Sequence, residues 1–140
     1  MKNNLHYSAT VELTPSFHDT DAMGVVWHGN YLKFFEKARE ALFQKFHYGY
    51  QAMFESGYAW PIVDTRVKFI ATTTAEQKLL ITAQLEEYEH RIKIKYLIKD
   101  ALSGQKTTTG YTIQVAVSTD TKEMSFVTPN VLLTQFGLLK

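Results

Sequence analysis

Apolar side chains fall into two regimes along this chain, one with a helical period and one with a period of two. From Asn30 onward, Tyr31, Phe34, Phe35, Ala38, Leu42 and Phe46 recur at spacings of three and four. Lys33, Glu36, Lys37, Arg39 and Glu40 hold the intervening positions. The pattern predicts an amphipathic helix with a wide, aromatic-rich face. "HYGY" and "ESGY" then bracket a short helical piece. Beyond Trp60-Pro61 the residues alternate. Val63, Val67 and Phe69 predict one strand, and Ile81, Ala83 and Leu85 a second. Ile92, Ile94, Tyr96 and Ile98 between lysines predict a third, and Tyr111, Ile113, Val115 and Val117 a fourth. "TTTAEQK" reads as the loop between the first two and "DALSGQ" as a hairpin turn between the last two. Upstream, residues 7–17 alternate weakly and predict a strand, with Pro15 pointing to an edge position or a bulge. Near the carboxyl end, Thr128 followed by Pro129 predicts an N-cap and first helical position. Short connections imply antiparallel pairing. The sum is an α+β fold in which about five antiparallel strands cover one long, buried helix.

Composition narrows the functional classes. A length of 140 residues fits one domain, and no linker, repeat or low-complexity tract divides residues 1–140. The hydrophobic fraction of 45% and the aromatic fraction of 14% suit a folded core. Fifteen basic against fourteen acidic side chains, with no basic run interleaved with aromatics, give no nucleic-acid footprint. The absence of cysteine excludes disulfides, a thiolate nucleophile and thiolate metal ligands. "MKNNLHYSATVEL" lacks the apolar stretch of a leader, and no run is long enough to span a membrane. These absences predict a cytoplasmic protein.

"HDTDAMGVVWHGNY", residues 18–31, concentrates the candidate chemistry. Asp19-x-Asp21-x-x-Gly24 begins like a calcium loop. Met23 then stands at the fifth place, where an oxygen ligand is required, and Asn30 at the twelfth, where a bidentate glutamate is required, so calcium is excluded. His18, Asp19, Asp21 and His28 match no helical ligand spacing for a transition metal, and no metal is expected. Two readings remain open. Asp21 or Asn30 caps the helix and His28 is a partly buried structural histidine. Alternatively, a carboxylate stands near a helix N-terminus whose free N–H groups polarise a carbonyl. A carboxylate can attack such a carbonyl or activate water. Oxygen esters and amides also need an acid for the leaving group. A thiolate, with a parent pKa of about 8.5, does not. One carboxylate and an oxyanion site therefore suffice for thioester hydrolysis. No G-x-S-x-G elbow is present.

"DTDAMGVVWHGNYLKFFEKARE" resembles the D-x-D-x-x-G-V-V-x-H-x-x-Y segment and E-x-A-R helix of the 4-hydroxybenzoyl-CoA thioesterase family. It is most similar to that family's branch of Tol–Pal-associated acyl-CoA thioesterases. Asp19, Asp21, Gly24, Val25, Val26, His28 and Tyr31 carry the match. The resemblance implies a hotdog fold, a long central helix wrapped by a curved antiparallel sheet. It also implies homodimers that pair their sheets, often assembled into homotetramers, with active sites at the subunit interface. No cofactor is implied, CoA being part of the substrate.

By the same resemblance Asp21 is the catalytic carboxylate, as general base or nucleophile. The backbone N–H at His28 polarises the thioester carbonyl, and the His28 ring positions water or substrate. Gly24 lets the chain turn closely past the thioester, and Asp19 orients the loop. Val26, Trp27 and Tyr31 join Asp19 as substrate-contacting residues, with packing the competing role for Tyr31 and for Glu36. Arg91 and Lys93 are candidate cations for CoA phosphates, against the reading of ordinary solvent-facing strand residues. Trp27, Phe34, Phe54, Trp60 and Phe69 are candidates to line an acyl pocket or simply to fill the core. Relatives usually carry a Tyr-x-x-Pro-Ala-like strand end, and "VKFIATTTAEQKL" lacks that proline. The alternatives to an acyl-CoA thioesterase are an acyl-carrier-protein thioesterase and a non-catalytic acyl-thioester-binding protein of the same fold.

Overall fold

The computed structural model describes residues 6–139. Residues 1–5 and 140, including the start of the stretch read for a leader, lie outside the described residues. In chain order the elements are β1 (Ser8–Leu13), a 3-10 turn (Phe17–Asp19), α1 (Asn30–Lys45), α2 (Tyr50–Ser56), β2 (Tyr58–Ala59), β3 (Ile62–Phe69), β4 (Leu79–Glu87), β5 (Ile92–Asp100), β6 (Lys106–Gln114), β7 (Val117–Ser118) and α3 (Asn130–Gln135). Five strands form one antiparallel sheet in the order β1-β4-β5-β6-β3, and β2 pairs with β7 apart from it.

The periodic helix is α1, and its apolar face is the core of the molecule. Phe35, Ala38 and Leu42 are fully buried against the inner sheet face, where Ile81, Ala83, Ile94 and Ile98 point inward. Each large aliphatic or aromatic side chain buried this way contributes on the order of 2 kcal/mol. Phe35 stacks on Tyr96 with ring centroids 4.3 Å apart. Gly110 makes room for that ring, since a Cβ there would stand 2.4 Å from the Arg66 carbonyl oxygen and 2.7 Å from Phe35. The helix therefore lies across a sheet that curves around it, as the sequence resemblance implies.

Three local expectations are corrected. β1 ends at Leu13, and Pro15 lies beyond it, buried, with its carbonyl accepting the Glu76 N–H at 2.8 Å. The edge position holds for the strand, but the proline is not within it. The fourth predicted strand runs from Lys106 and stops at Gln114, short of Val115. Its inner face carries Gly110, Thr112 and Gln114, whereas Tyr111 faces outward under the Lys93 ammonium, 4.7 Å from the ring centroid. Finally, Pro129 and not Thr128 is the N-cap of α3, and no side chain caps it.

Candidate active site

The segment between β1 and α1 folds back on itself through hydrogen bonds that its own sequence supplies. Asp19 closes the 3-10 turn, its Oδ2 accepting the Ser16 N–H at 2.9 Å and the Ser16 hydroxyl at 3.3 Å. Its carbonyl accepts the Trp27 N–H at 2.9 Å and the Asn30 side-chain amide at 2.8 Å, tying the loop to the head of α1. His18 sits exposed in that turn.

Between Thr20 and Val26, which form a bridge, lies a small hairpin. Asp21 exchanges bonds with Val25 and Gly24: Asp21 N–H to the Val25 carbonyl at 2.9 Å, Gly24 N–H to the Asp21 carbonyl at 3.0 Å. This is a type I turn followed by a left-handed residue, for which Asp first and Gly last are favoured. Gly24 has φ +80°, and a Cβ there would meet nothing within 4 Å. Backbone conformation within the chain, not crowding by its own atoms, is what calls for glycine. The Asp21 carboxylate is exposed and, among the described residues, accepts one protein hydrogen bond, from the Met23 N–H at 2.8 Å.

At the head of α1 the chain enters the helix through Asn30 N–H to the Trp27 carbonyl at 2.9 Å. Gly29 is the N-cap and offers no side chain. Among the described residues the N–H groups of His28 and Gly29 donate to no protein acceptor. Neither Asp21 nor Asn30 caps the helix. Beside these amides lies a hollow of about 260 Å³ lined by Val26, His28, Tyr31, Phe69, Ile70, Ala71 and Thr72. Of the predicted site residues, this hollow gathers His28, Val26 and Tyr31. Asp19, Asp21, Gly24 and Trp27 stand on the same loop outside its lining. Trp27 is half-exposed, its ring over Gly29, where an added Cβ would come within 2.2 Å of it.

Thr73 is the residue that sequence reasoning missed. It is fully buried, its carbonyl accepts the Val26 N–H at 2.7 Å, and its hydroxyl meets the Tyr31 hydroxyl at 2.6 Å. It lies in the segment that lacks the expected proline, and nothing in a run of three threonines singles it out.

Arg91 and Lys93 lie at the opposite end of the sheet, about 20 Å away by strand rise. Arg91 pairs with Glu87 at 3.1 Å and Lys93 with Glu86 at 3.3 Å. The five aromatic residues considered for an acyl pocket are not brought together within one chain. Phe34 is buried, Phe54 is 78% exposed, Phe69 borders the His28 hollow, and Trp60 lines a separate cavity. That cavity, about 440 Å³, lies at the Ile62 end of β3 and is walled by Phe43, Met53, Trp60 and Ile62, with Arg39, Tyr50 and Gln114 among its polar members. Burial and the neighbouring Glu36 carboxylate raise the Tyr50 phenol above its ordinary range. Among the described residues no group of three His, Asp or Glu side chains converges as a metal-ligand set.

Residues 15–136 match the profile of the thioesterase-like superfamily. The chain belongs to that superfamily. A DHNA-CoA thioesterase from Staphylococcus aureus superimposes with a TM-score of 0.78 at 30% identity, covering 84% of this chain and 78% of that one. Slr0204, a 1,4-dihydroxy-2-naphthoyl-CoA thioesterase from Synechocystis, gives a TM-score of 0.83 at 25% identity over 94% of this chain and 97% of its own. The acyl-CoA thioester hydrolase YbgC of Escherichia coli is 30% identical over 69 residues, 49% of this chain and 52% of that protein. The chain thus spans about half the length of such curated relatives. The hotdog arrangement of this superfamily member agrees with the sheet-wrapped helix described above. No helix among the described residues is long and apolar enough to cross a membrane.

Proposed function

We propose that this member of the superfamily hydrolyses an acyl-CoA thioester to the free acid and CoA. The observation that carries this reading is the pair of unpartnered N–H groups at His28 and Gly29, at the head of α1, on the same loop as the exposed Asp21 carboxylate. An oxyanion forming on the thioester carbonyl accepts those N–H groups and the partial positive charge of the helix end. Asp21 either takes a proton from water as the water oxygen bonds the carbonyl carbon, or bonds that carbon itself to give an anhydride that water then cleaves. In both routes the C–S bond breaks and CoA leaves as a thiolate, so no separate acid is required. The His28 ring orients water or substrate, and Val26, Trp27 and Tyr31 shape the approach. Water is the sole co-reactant, so the reaction calls for no metal or cofactor.

The edge strand β3 supports a homodimer. Its surface is exposed along its length, with Ile62 at 44%, Val63 at 57% and Phe69 at 52%. An edge of this kind invites strand pairing. A twofold axis across it pairs β3 with the same strand of a second copy in antiparallel sense. The Ile62 end of one copy then adjoins the Phe69 end of the other. That places the 440 Å³ cavity of one protomer beside the His28 hollow of its partner, the first to hold the acyl group and the second the thioester. Arg91 and Lys93 of the protomer that supplies the cavity lie at this same end, where they serve the CoA phosphates.

Thiol release from a panel of acyl-CoAs tests the activity. Asp21→Asn is expected to lower kcat by about 10²–10⁴-fold, with an unchanged circular-dichroism spectrum and oligomer size. Turnover unaffected by that substitution sinks the assignment.

A further inference from the structure

The outer face of the main sheet, turned away from α1, carries a hollow of about 540 Å³. Strand register builds it row by row. One row runs Gln84, Lys95, Tyr111 and Arg66 across β4, β5, β6 and β3, and the next runs Thr82, Leu97, Thr109 and Lys68. A bulge then sets Lys99 opposite Lys106. Arg66, Lys68, Lys95, Lys99 and Lys106 therefore ring a neutral centre at Leu97 and Thr109. By strand rise and spacing the ring spans about 13 Å along β5 and about 10 Å from β5 to β3.

The missing counter-charge sets this hollow apart. The chain as a whole is near neutral, with fifteen basic and fourteen acidic side chains. Five of the basic ones line this one hollow, and no carboxylate does. Among the described residues none of the five makes a side-chain hydrogen bond or an ion pair. The Thr109 hydroxyl and the Gln84 amide beside them are likewise without a protein partner. Neighbouring acids are engaged elsewhere. Asp64 accepts the Tyr111 hydroxyl at 3.4 Å, and Glu86 and Glu87 hold Lys93. Cations gathered without partners repel one another and weaken the fold that gathers them.

Five cations around a depression match a ligand whose negative charges are several and close together. A lone carboxylate answers only part of the ring. Linked phosphates carry about one charge or more each, and their oxygens accept charge-assisted bonds from Arg and Lys alike. A second copy meeting this face with its own would set like charges against each other. Arg91 and Lys93 lie outside the lining and are already ion-paired.

We infer that this hollow binds a polyphosphate of three or more linked phosphates, as an inorganic chain or as the triphosphate of a nucleotide, separately from any acyl-CoA. Arg66 presents its fork to two phosphate oxygens, the four lysines place point charges around the chain, and Thr109 donates its hydroxyl. Binding here needs neither Asp21 nor the His28 amide, so it stands apart from the thioesterase reading.

Calorimetric titration of the intact protein with sodium tripolyphosphate tests it. One tripolyphosphate is expected per chain, with affinity falling about tenfold or more from low to physiological salt. Arg66→Gln and Lys99→Gln are each expected to weaken binding about fivefold or more. Lys37→Gln, an equal change of charge on the exposed side of α1, should leave it unaltered. Thermal melting adds a readout that a structural role would not give. Without ligand at low salt, Lys99→Gln should melt no lower than the unmodified protein, because repulsion is relieved. Tripolyphosphate should then raise the midpoint of the unmodified protein more than that of the variant. Titration with ATP separates the two sources: tighter binding than tripolyphosphate assigns the site to a nucleotide, and equal or weaker binding to the free chain. Absence of binding at low salt, or an equal loss in Lys37→Gln, overturns the proposal, since only diffuse charge would then be at work. Displacement of tripolyphosphate by CoA overturns it too, by giving the hollow to the substrate. So does a single-stranded oligonucleotide that binds several chains per strand and more tightly than either polyphosphate.

Discussion

Tyr31 and Thr73 join the head of α1 to the β3–β4 connection through one buried hydroxyl pair, 2.6 Å apart. Because both oxygens are out of water, removing one strands the other. Tyr31→Phe is expected to destabilise the fold by about 1–3 kcal/mol, read as a lower urea midpoint at unchanged slope. Adding Thr73→Val should recover part of that loss, because no polar atom is then left unpaired; a purely additive pair would deny the coupling. Asp21 is the contrasting case. Its place in a tight turn is legible from Asp-Ala-Met-Gly itself, since the side chain bonds the N–H two residues on and glycine takes the positive φ. Thr73 has no such signature. Its importance arises from a partner 42 positions away, which local sequence cannot report.

Among the elements, α1, β4 and β5 follow their alternation because one face of each is packed and the other is wet. β6 does not, and the reason is physical. Its inner face must admit Phe35 and host polar partners for Tyr96, so glycine and threonine go inward and Tyr111 outward. Hydrophobicity alone then assigns the wrong face. The turn between β5 and β6 shows a different economy. Asp100 accepts the N–H groups of Leu102 and Ser103 at 2.9 and 2.8 Å and the Gln77 amide at 2.8 Å. The Ser103 backbone bond first, then Gln77, lowers the Asp100 carboxyl below its ordinary range. A lowered folded-state pKa means stability that is present above the unfolded value and lost as pH falls through the folded one. Asp100→Ala should therefore be less stable than the parent at neutral pH. The difference should close as pH drops below the ordinary carboxylate range. A gap that persists unchanged to pH 2 would assign the loss to packing instead.

At the scale of the whole molecule, two of the aromatic residues that sequence suggests for one acyl pocket, Trp60 and Phe69, line separate hollows at opposite ends of β3. A single chain does not unite Phe69 with Trp60, and the proposed antiparallel pairing of β3 with a second copy would bring them together. The proposed site thus takes Asp21 from one protomer and the acyl cavity from the other, and this can be tested by mixing. Asp21→Asn and Met53→Trp proteins, the second with its acyl cavity filled, are each expected to be poorly active on acyl-CoAs, and are dissociated together and allowed to reassociate. Every heterodimer then has one site with both defects and one with neither. With random pairing about a quarter of all sites are intact, so activity should rise toward that fraction of the unmodified enzyme. Sites contained within one chain would stay defective in every combination, and mixing would recover nothing. Val63→Lys, which places a charge on the pairing edge, supplies the control. It should give a monomer by sedimentation and abolish the recovery, whereas complementation that survives it would place the dimer interface elsewhere.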